Sequence, residues 1–181
     1  RDLETSEIAI QAALTGHLVL STIHTNDAAG AIPRFLSMEV KPFLLAPALN
    51  AIVGQRLVRR IHEECKEELA LPAETLERVK KALTELPPES GVAMPPLGKL
   101  KFFHGKGCAA CNDTGYKGRI GIYEVLTMGP EVEKAILSEK ASEYEMREIA
   151  ARAGMVTMVQ DGLLKAIDGI TTVEEVFKVA E

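Results

Sequence analysis

Two short pairs of residues constrain this chain more than any other feature. His62 stands three residues before Cys65, Cys108 stands three before Cys111, and 42 residues separate the pairs. A two-residue gap lets a tight turn aim two donor atoms at one point. Two such turns aimed at the same point give three thiolates and one imidazole, a closed set that suits tetrahedral zinc. The set uses every cysteine of the chain, so the odd count of three calls for no disulfide framework. With four protein ligands no position stays open for water, and the expected role is structural rather than catalytic. Three alternatives stand beside this reading. Cys108 and Cys111 could form a thiol redox pair that ignores the other two residues. His62 could be an exposed strand-end histidine and Cys65 a buried thiol. His104, close to the second pair, competes with His62 as a ligand.

The segment between the pairs carries a charged helix, expected at roughly 73–83, and a loop with Pro87, Pro88, Pro95 and Pro96 that is too rich in proline for a regular element. It has little apolar material for a core of its own, so a metal is expected to hold it together. "LKFFHGKG" reads as a short strand leading into Cys108, and "RIGIYEVLTM" as an alternating strand after Cys111.

Upstream, the spacing predicts a mostly buried helix over 5–14, with Glu4, Thr5 and Ser6 at its start and Gly16 as its stop. "HLVLSTIH", from His17 to His24, is short, apolar and partly β-branched, and predicts a buried strand. A helix capped by Thr25 or Asn26 follows, with Pro33 early in it. Another helix opens near Pro42 and is expected to run to about Val53, and "QRLVRRI" after Gly54 predicts a strand. Residues 131–181 read as several short helices. This order of helices and strands is that of an α/β fold.

Composition narrows the function. The net charge of −5 is spread along the chain with both signs mixed, a poor footprint for nucleic acid. There is no signal-peptide pattern and no apolar run near the ~18 residues of a membrane span. The chain reads as a protein of a reducing compartment. It starts abruptly at Arg1, which suggests a fragment. His24 closes the expected strand beside Thr22, Thr25 and Asn26. Such strand ends open onto the ligand crevice of α/β sheets. These residues either sense a phosphate or cap the next helix, and their types leave both open. The phosphate-cradling pattern G-x-x-x-x-G-K-[ST] is absent.

Four stretches resemble a known family: "RDLETSEIAIQAALTGHLVLSTIHTNDAAGAI", "PFLLAPALNAIVGQRLVRRI", "GCAACNDTGYKGRIGIYEVL" and "MVTMVQDGLLKAIDGITTVEEVFKV". In this order they are similar to the C-terminal part of the secretion-superfamily ATPases of type II secretion and type IV pilus assembly. The similarity is weakest from Lys66 to Lys101. It implies the C-terminal portion of a RecA-like P-loop ATPase domain, with a small zinc-binding insertion and a C-terminal helical bundle. The corresponding divisions are 1–61, 62–118 and 119–181. It also implies a cytoplasmic homohexamer that hydrolyses ATP with Mg2+ and acts on an inner-membrane platform protein. By motif match, His17 and His24 are the histidine-box residues near the γ-phosphate, with His24 sensing phosphate and His17 supporting the loop. Arg56 is either a nucleotide contact or a structural ion pair, and His62, Cys65, Cys108 and Cys111 hold Zn2+.

Two departures matter. The family usually has cysteine where this chain has His62. The P-loop and the Walker B glutamate would both precede Arg1, so these residues alone are expected neither to bind ATP tightly nor to hydrolyse it. The metal element favours the assembly or secretion branch over retraction motors but does not separate secretion from pilus assembly. A free-standing zinc-ribbon interaction module is the rival from another class.

Overall fold

The structure, a computed structural model, describes residues 2–138 and 141–180. Arg1, the first residue of the stretch matched to the end of Walker B, lies outside the described residues. The fold mixes helices and strands in two compact units. One comprises residues 2–54 with 125–155, the other 55–124 with 156–180.

The first unit opens with α1 (Leu3–Leu14), capped by Asp2, whose Oδ1 accepts the Thr5 N–H at 2.8 Å. Helix α2 (Ala31–Ser37) and helix α3 (Pro42–Ala48) follow. The unit also holds the start of β1 (Ala51–Ile61) and the end of β4 (Tyr116–Thr127), then α5 (Pro130–Leu137) and α6 (Glu143–Arg152). Its core joins Ile10, Ile32, Leu45, Leu126, Ile136 and Met146, all buried. Removing such side chains from water is the main stabilising term, roughly 1.5–3 kcal/mol for each large apolar one.

Four expectations fail here. Helix α1 is not mostly buried: only its Ser6 and Ile10 are, and Ile8 is 66% exposed, because only one narrow stripe of the helix meets the core. His17–His24 is not a buried strand. Among the described residues it belongs to no strand, and Leu18 and Leu20 are 85% and 88% exposed. A strand needs a neighbour to take its N–H and C=O groups, and among the described residues no strand pairs with this run. Only Val19 and Ile23 are partly covered; the other residues of the run are exposed. Nor does α3 reach Val53. It ends at Ala48, because Pro47 removes an intrahelical donor. The chain is extended from Leu49, and β-branched Ile52 and Val53 join β1. The α2 helix likewise starts later than Thr25 or Asn26, at Ala31, after a turn closed by Asp27.

The second unit holds the antiparallel pair β2 (Lys66–Leu69) and β3 (Phe102–Gly105), with Lys66 opposite Gly105 and Leu69 opposite Phe102. Strands β1 and β4 pair with each other as a separate two-stranded sheet. Helix α4 (Ala73–Thr84), helix α7 (Met158–Ile167) and helix α8 (Val173–Ala180) surround a core of Val79, Leu83, Phe102, Leu163, Val173 and Val176. The polar face of α4 explains its charged sequence, since only its Val79 and Leu83 are buried. Gly162 lets α7 meet α8, for a Cβ there would sit 2.6 Å from Val176 Cγ1. The proline-rich stretch 85–101 holds one short 3-10 turn, Pro88–Ser90, and is otherwise irregular, as its composition predicts.

Candidate metal centre

The two ligand pairs sit on two tight turns at the ends of strands. β1 is held at its exit by the Ile61 N–H, which donates to Ile170 O at 2.9 Å, and by Arg59, which pairs with the buried Glu175 and stacks on Tyr116. The Arg59 hydrogen bond keeps the Glu175 carboxyl below its ordinary range. His62 follows directly, its N–H donating to Gly115 O at 3.0 Å. A 3-10 turn over Glu63–Cys65 then brings Cys65 round, with the Cys65 N–H on His62 O. The second turn leaves β3 through Gly107 and closes over Ala109–Cys111. Asn112 and Asp113 then take left-handed backbone angles, which suits their short polar side chains.

The donor atoms converge. His62 Nδ1 lies 3.3 Å from Cys108 Sγ and 3.7 Å from Cys65 Sγ. Cys111 Sγ lies 3.7 Å from Cys108 Sγ and 3.9 Å from Cys65 Sγ. All four atoms fall within 4.8 Å of one another. With zinc–sulfur bonds near 2.3 Å, a regular tetrahedron has sulfur–sulfur edges of about 3.8 Å. The two sulfur–sulfur distances given match that edge, so the donor set fits a four-coordinate metal. His62, Cys65 and Cys111 are buried and Cys108 is half-buried.

The backbone favours one of the thiolates. Burial pushes the Cys111 thiol up, but N–H groups of Cys108 and Gly115, aimed at its Sγ from 3.2 and 3.3 Å, outweigh burial, with help from the Cys108 and Cys65 thiols. The net result is a pKa lowered to about 6. Cys65 goes the other way: its burial dominates and raises it. A metal ion supplies the charge that makes both thiolates favourable at once.

Sequence reasoning missed the glycines behind this site. Gly115 takes φ +74°, and a Cβ on it would stand 2.2 Å from Gly105 O, while one on Gly105 would stand 2.0 Å from Gly115 O. The two backbones therefore touch, and Gly115 serves both turns, accepting from His62 and donating to Cys111. The signal was present as a glycine four residues after the last cysteine, in "CNDTG".

The other candidates lie elsewhere. His104 is on β3 opposite Glu67 and is not in the cluster. In the first unit His17 is exposed, with Nδ1 3.0 Å from Thr15 Oγ1, and His24 is exposed on the extended run. Thr22 and Thr25 of that run line a cavity of 370 Å³ with α1, α2 and α3; His24 is not among its lining residues. Arg56 sits half-buried on β1.

Comparison with known proteins decides the family. The type II/IV secretion system protein family matches residues 1–178. The chain belongs to that family. Among curated relatives, the type IV pilus assembly ATPase PilB of Thermus thermophilus is 47% identical over 97% of this chain, which spans 18% of that protein. PilB of Pseudomonas aeruginosa is 44% identical and the type II secretion system protein E of Xanthomonas campestris 45%. Each matches all of this chain, which spans 30% of their lengths. Among solved structures, the Legionella pneumophila ATPase DotB superposes with a TM-score of 0.60 at 18% identity, covering 99% of this chain and 36% of DotB. The pilus retraction motor PilT gives 0.57 at 22% identity, covering 99% and 37%. At these identities the two structures speak to the α/β fold alone. Within the secretion system protein family, pilus-assembly and type II secretion relatives stand at similar identity, so similarity favours neither machine.

Proposed function

We propose that this chain is part of a cytoplasmic, hexameric ATPase that drives type IV pilus assembly or type II protein secretion at an inner-membrane platform protein. The observation that carries this is the family match, which runs through both flanks of the metal cluster. A free-standing zinc-ribbon module would account for the cluster and leave those flanks unexplained. In this reading residues 1–61 complete a RecA-like core, residues 62–118 form the metal-binding insertion, and the C-terminal helices form a bundle. The nucleotide-binding loop, absent from these 181 residues, comes from elsewhere in a longer protein, and the chain alone does not turn over ATP.

The chemistry is phosphoryl transfer to water, which depends on positioning and electrostatic stabilisation. ATP and Mg2+ supply the phosphoryl group and neutralise its charge. His24 reports the γ-phosphate, His17 braces the same segment from its other end, and Arg56 on β1 is either a nucleotide contact or part of a structural ion pair. His62, Cys65, Cys108 and Cys111 hold one structural Zn2+. Support for zinc is the tetrahedral spacing of the donors and the soft thiolate-rich set. A redox pair needs only Cys108 and Cys111 and gives no reason for His62 and Cys65 to converge on them.

The test has two parts. Elemental analysis of the purified chain gives about one zinc per chain, lost in Cys111→Ser; a metal-free chain prepared under reducing, chelator-free conditions overturns the metal reading. In the full-length protein, His24→Ala lowers ATP turnover by about 10²-fold, with nucleotide affinity changed less than about threefold. Equal loss of both sinks the sensing role.

A further inference from the structure

The turn that follows His24 is clamped from α6. Thr25 Oγ1 donates to Asp27 O at 2.8 Å, and Asp27 Oδ1 accepts the Gly30 N–H at 2.7 Å. The other carboxylate oxygen, Oδ2, accepts from Arg147 Nε at 2.8 Å and from Arg147 Nη2. The same Nη2 reaches Glu143 Oε1, one helical turn earlier on α6. Gly30 makes room for this arrangement. A Cβ there would stand 3.1 Å from Asp27 Oδ1 and 3.7 Å from the Glu143 carboxyl. One guanidinium thus ties two carboxylates, one from the turn and one from the helix.

Stability is a poor reason for such a contact. The Arg147 side chain is 55% exposed, and Glu143 is 50% exposed, so solvent screens most of the attraction. What a two-pronged guanidinium contact supplies in this setting is direction, because its planar fork fixes the carboxylate it holds. The Asp27 side chain, only 16% exposed, is held from both sides. His24 lies three residues before it, on a run that belongs to no strand among the described residues. The Asp27 clamp and the Thr25 hydroxyl fix the chain just after it.

We infer that Arg147 is a positioning residue: through Asp27 it sets the orientation of the His24–Asp27 segment, so that ATP turnover depends on where α6 sits. This rests on the reading of His24 as the phosphate-sensing residue.

The test uses the full-length protein with Arg147→Ala, Arg147→Lys, Asp27→Asn and the Arg147→Ala/Asp27→Asn double variant, beside His24→Ala. Asp27→Asn keeps an oxygen for the Gly30 N–H and removes only the charge that Arg147 holds. The expected result is a fall in kcat of about tenfold for Arg147→Ala, with KM for ATP and nucleotide affinity within about twofold. Melting temperature stays within about 2 °C. Amide exchange over residues 24–30 speeds up by about tenfold. Asp27→Asn gives the same loss, and the double variant is no worse than either single one. Arg147→Lys, which keeps the charge without the fork, recovers part of the activity. Unchanged kcat in Arg147→Ala overturns the inference, as do losses that add in the double variant. A fall in melting temperature that accounts for the lost activity also overturns it. If His24→Ala leaves turnover intact, the sensing role falls instead. The exchange rates then decide whether Arg147 holds the turn.

Discussion

At the scale of single residues, the metal cluster is where sequence and structure agree most closely. Spacing alone paired His62 with Cys65 and Cys108 with Cys111, because a two-residue gap is a local property that a short turn satisfies in any fold. Which atoms back those ligands is a long-range property. The sequence did not reveal that Gly115, beside the second pair, also anchors His62 of the first. Titration follows from the two opposed cysteines. Cys111 is held low, at about 6. In the metal-free chain its thiolate therefore contributes stability that is full above its unfolded pKa, near 8.5, and is lost as pH falls through about 6. Cys65, raised by burial, works in the opposite sense, favouring the fold below its unfolded pKa and losing that as pH rises. With a metal bound, protons compete for every donor. Acidification of the cobalt-substituted chain should bleach the thiolate-to-metal absorption as pH drops toward and below 6. His62→Cys, which adds a thiolate, should keep about one metal per chain, whereas His62→Ala should lower affinity by at least tenfold, read by competition with a chromophoric chelator.

At the scale of elements, helices with clear periodicity were legible in position: α1, α4 and the helices after residue 130 appear where pattern places them, although α1 is capped by Asp2 and α4 has no side-chain cap. The failures are elements whose state is set by neighbours. Residues 17–24 have the composition of a buried strand, yet a strand exists only beside another. Pro47 was visible in the sequence, but whether the helix would survive it depended on how soon the following residues found a sheet partner. Two predictions belong here. Gly115→Ala puts a methyl group against Gly105 O at a positive φ, and should destabilise the second unit by about 2 kcal/mol or more and lower the zinc content with it. Calorimetry and metal analysis on the same sample check this. Leu18 and Leu20, 85% and 88% exposed on a run that belongs to no strand among the described residues, offer apolar surface for self-association. The purified 181-residue chain should show concentration-dependent self-association in light scattering, and Leu18→Lys with Leu20→Lys should suppress it.

At the scale of the whole molecule, the chain belongs to the type II/IV secretion system protein family, while the division of the chain into two units could not be read from sequence order. Each unit is assembled from two separated stretches, and such interleaving leaves no composition boundary to find. The metal should act on stability by mass action. Above the dissociation constant, each tenfold rise in free zinc should add about 1.4 kcal/mol to the unfolding free energy of the transition that involves the cluster. Melting curves in zinc buffers measure that slope, and a flat response would mean the cluster does not bind zinc in the folded chain. Of the four ligands only Cys108 is not buried. That asymmetry gives the cluster a door. An incoming chelator or electrophile meets the Cys108 sulfur first. The lifetime of the bound ion, and the order in which the thiols react with an alkylating reagent, should therefore be set by one side chain rather than by the average of four.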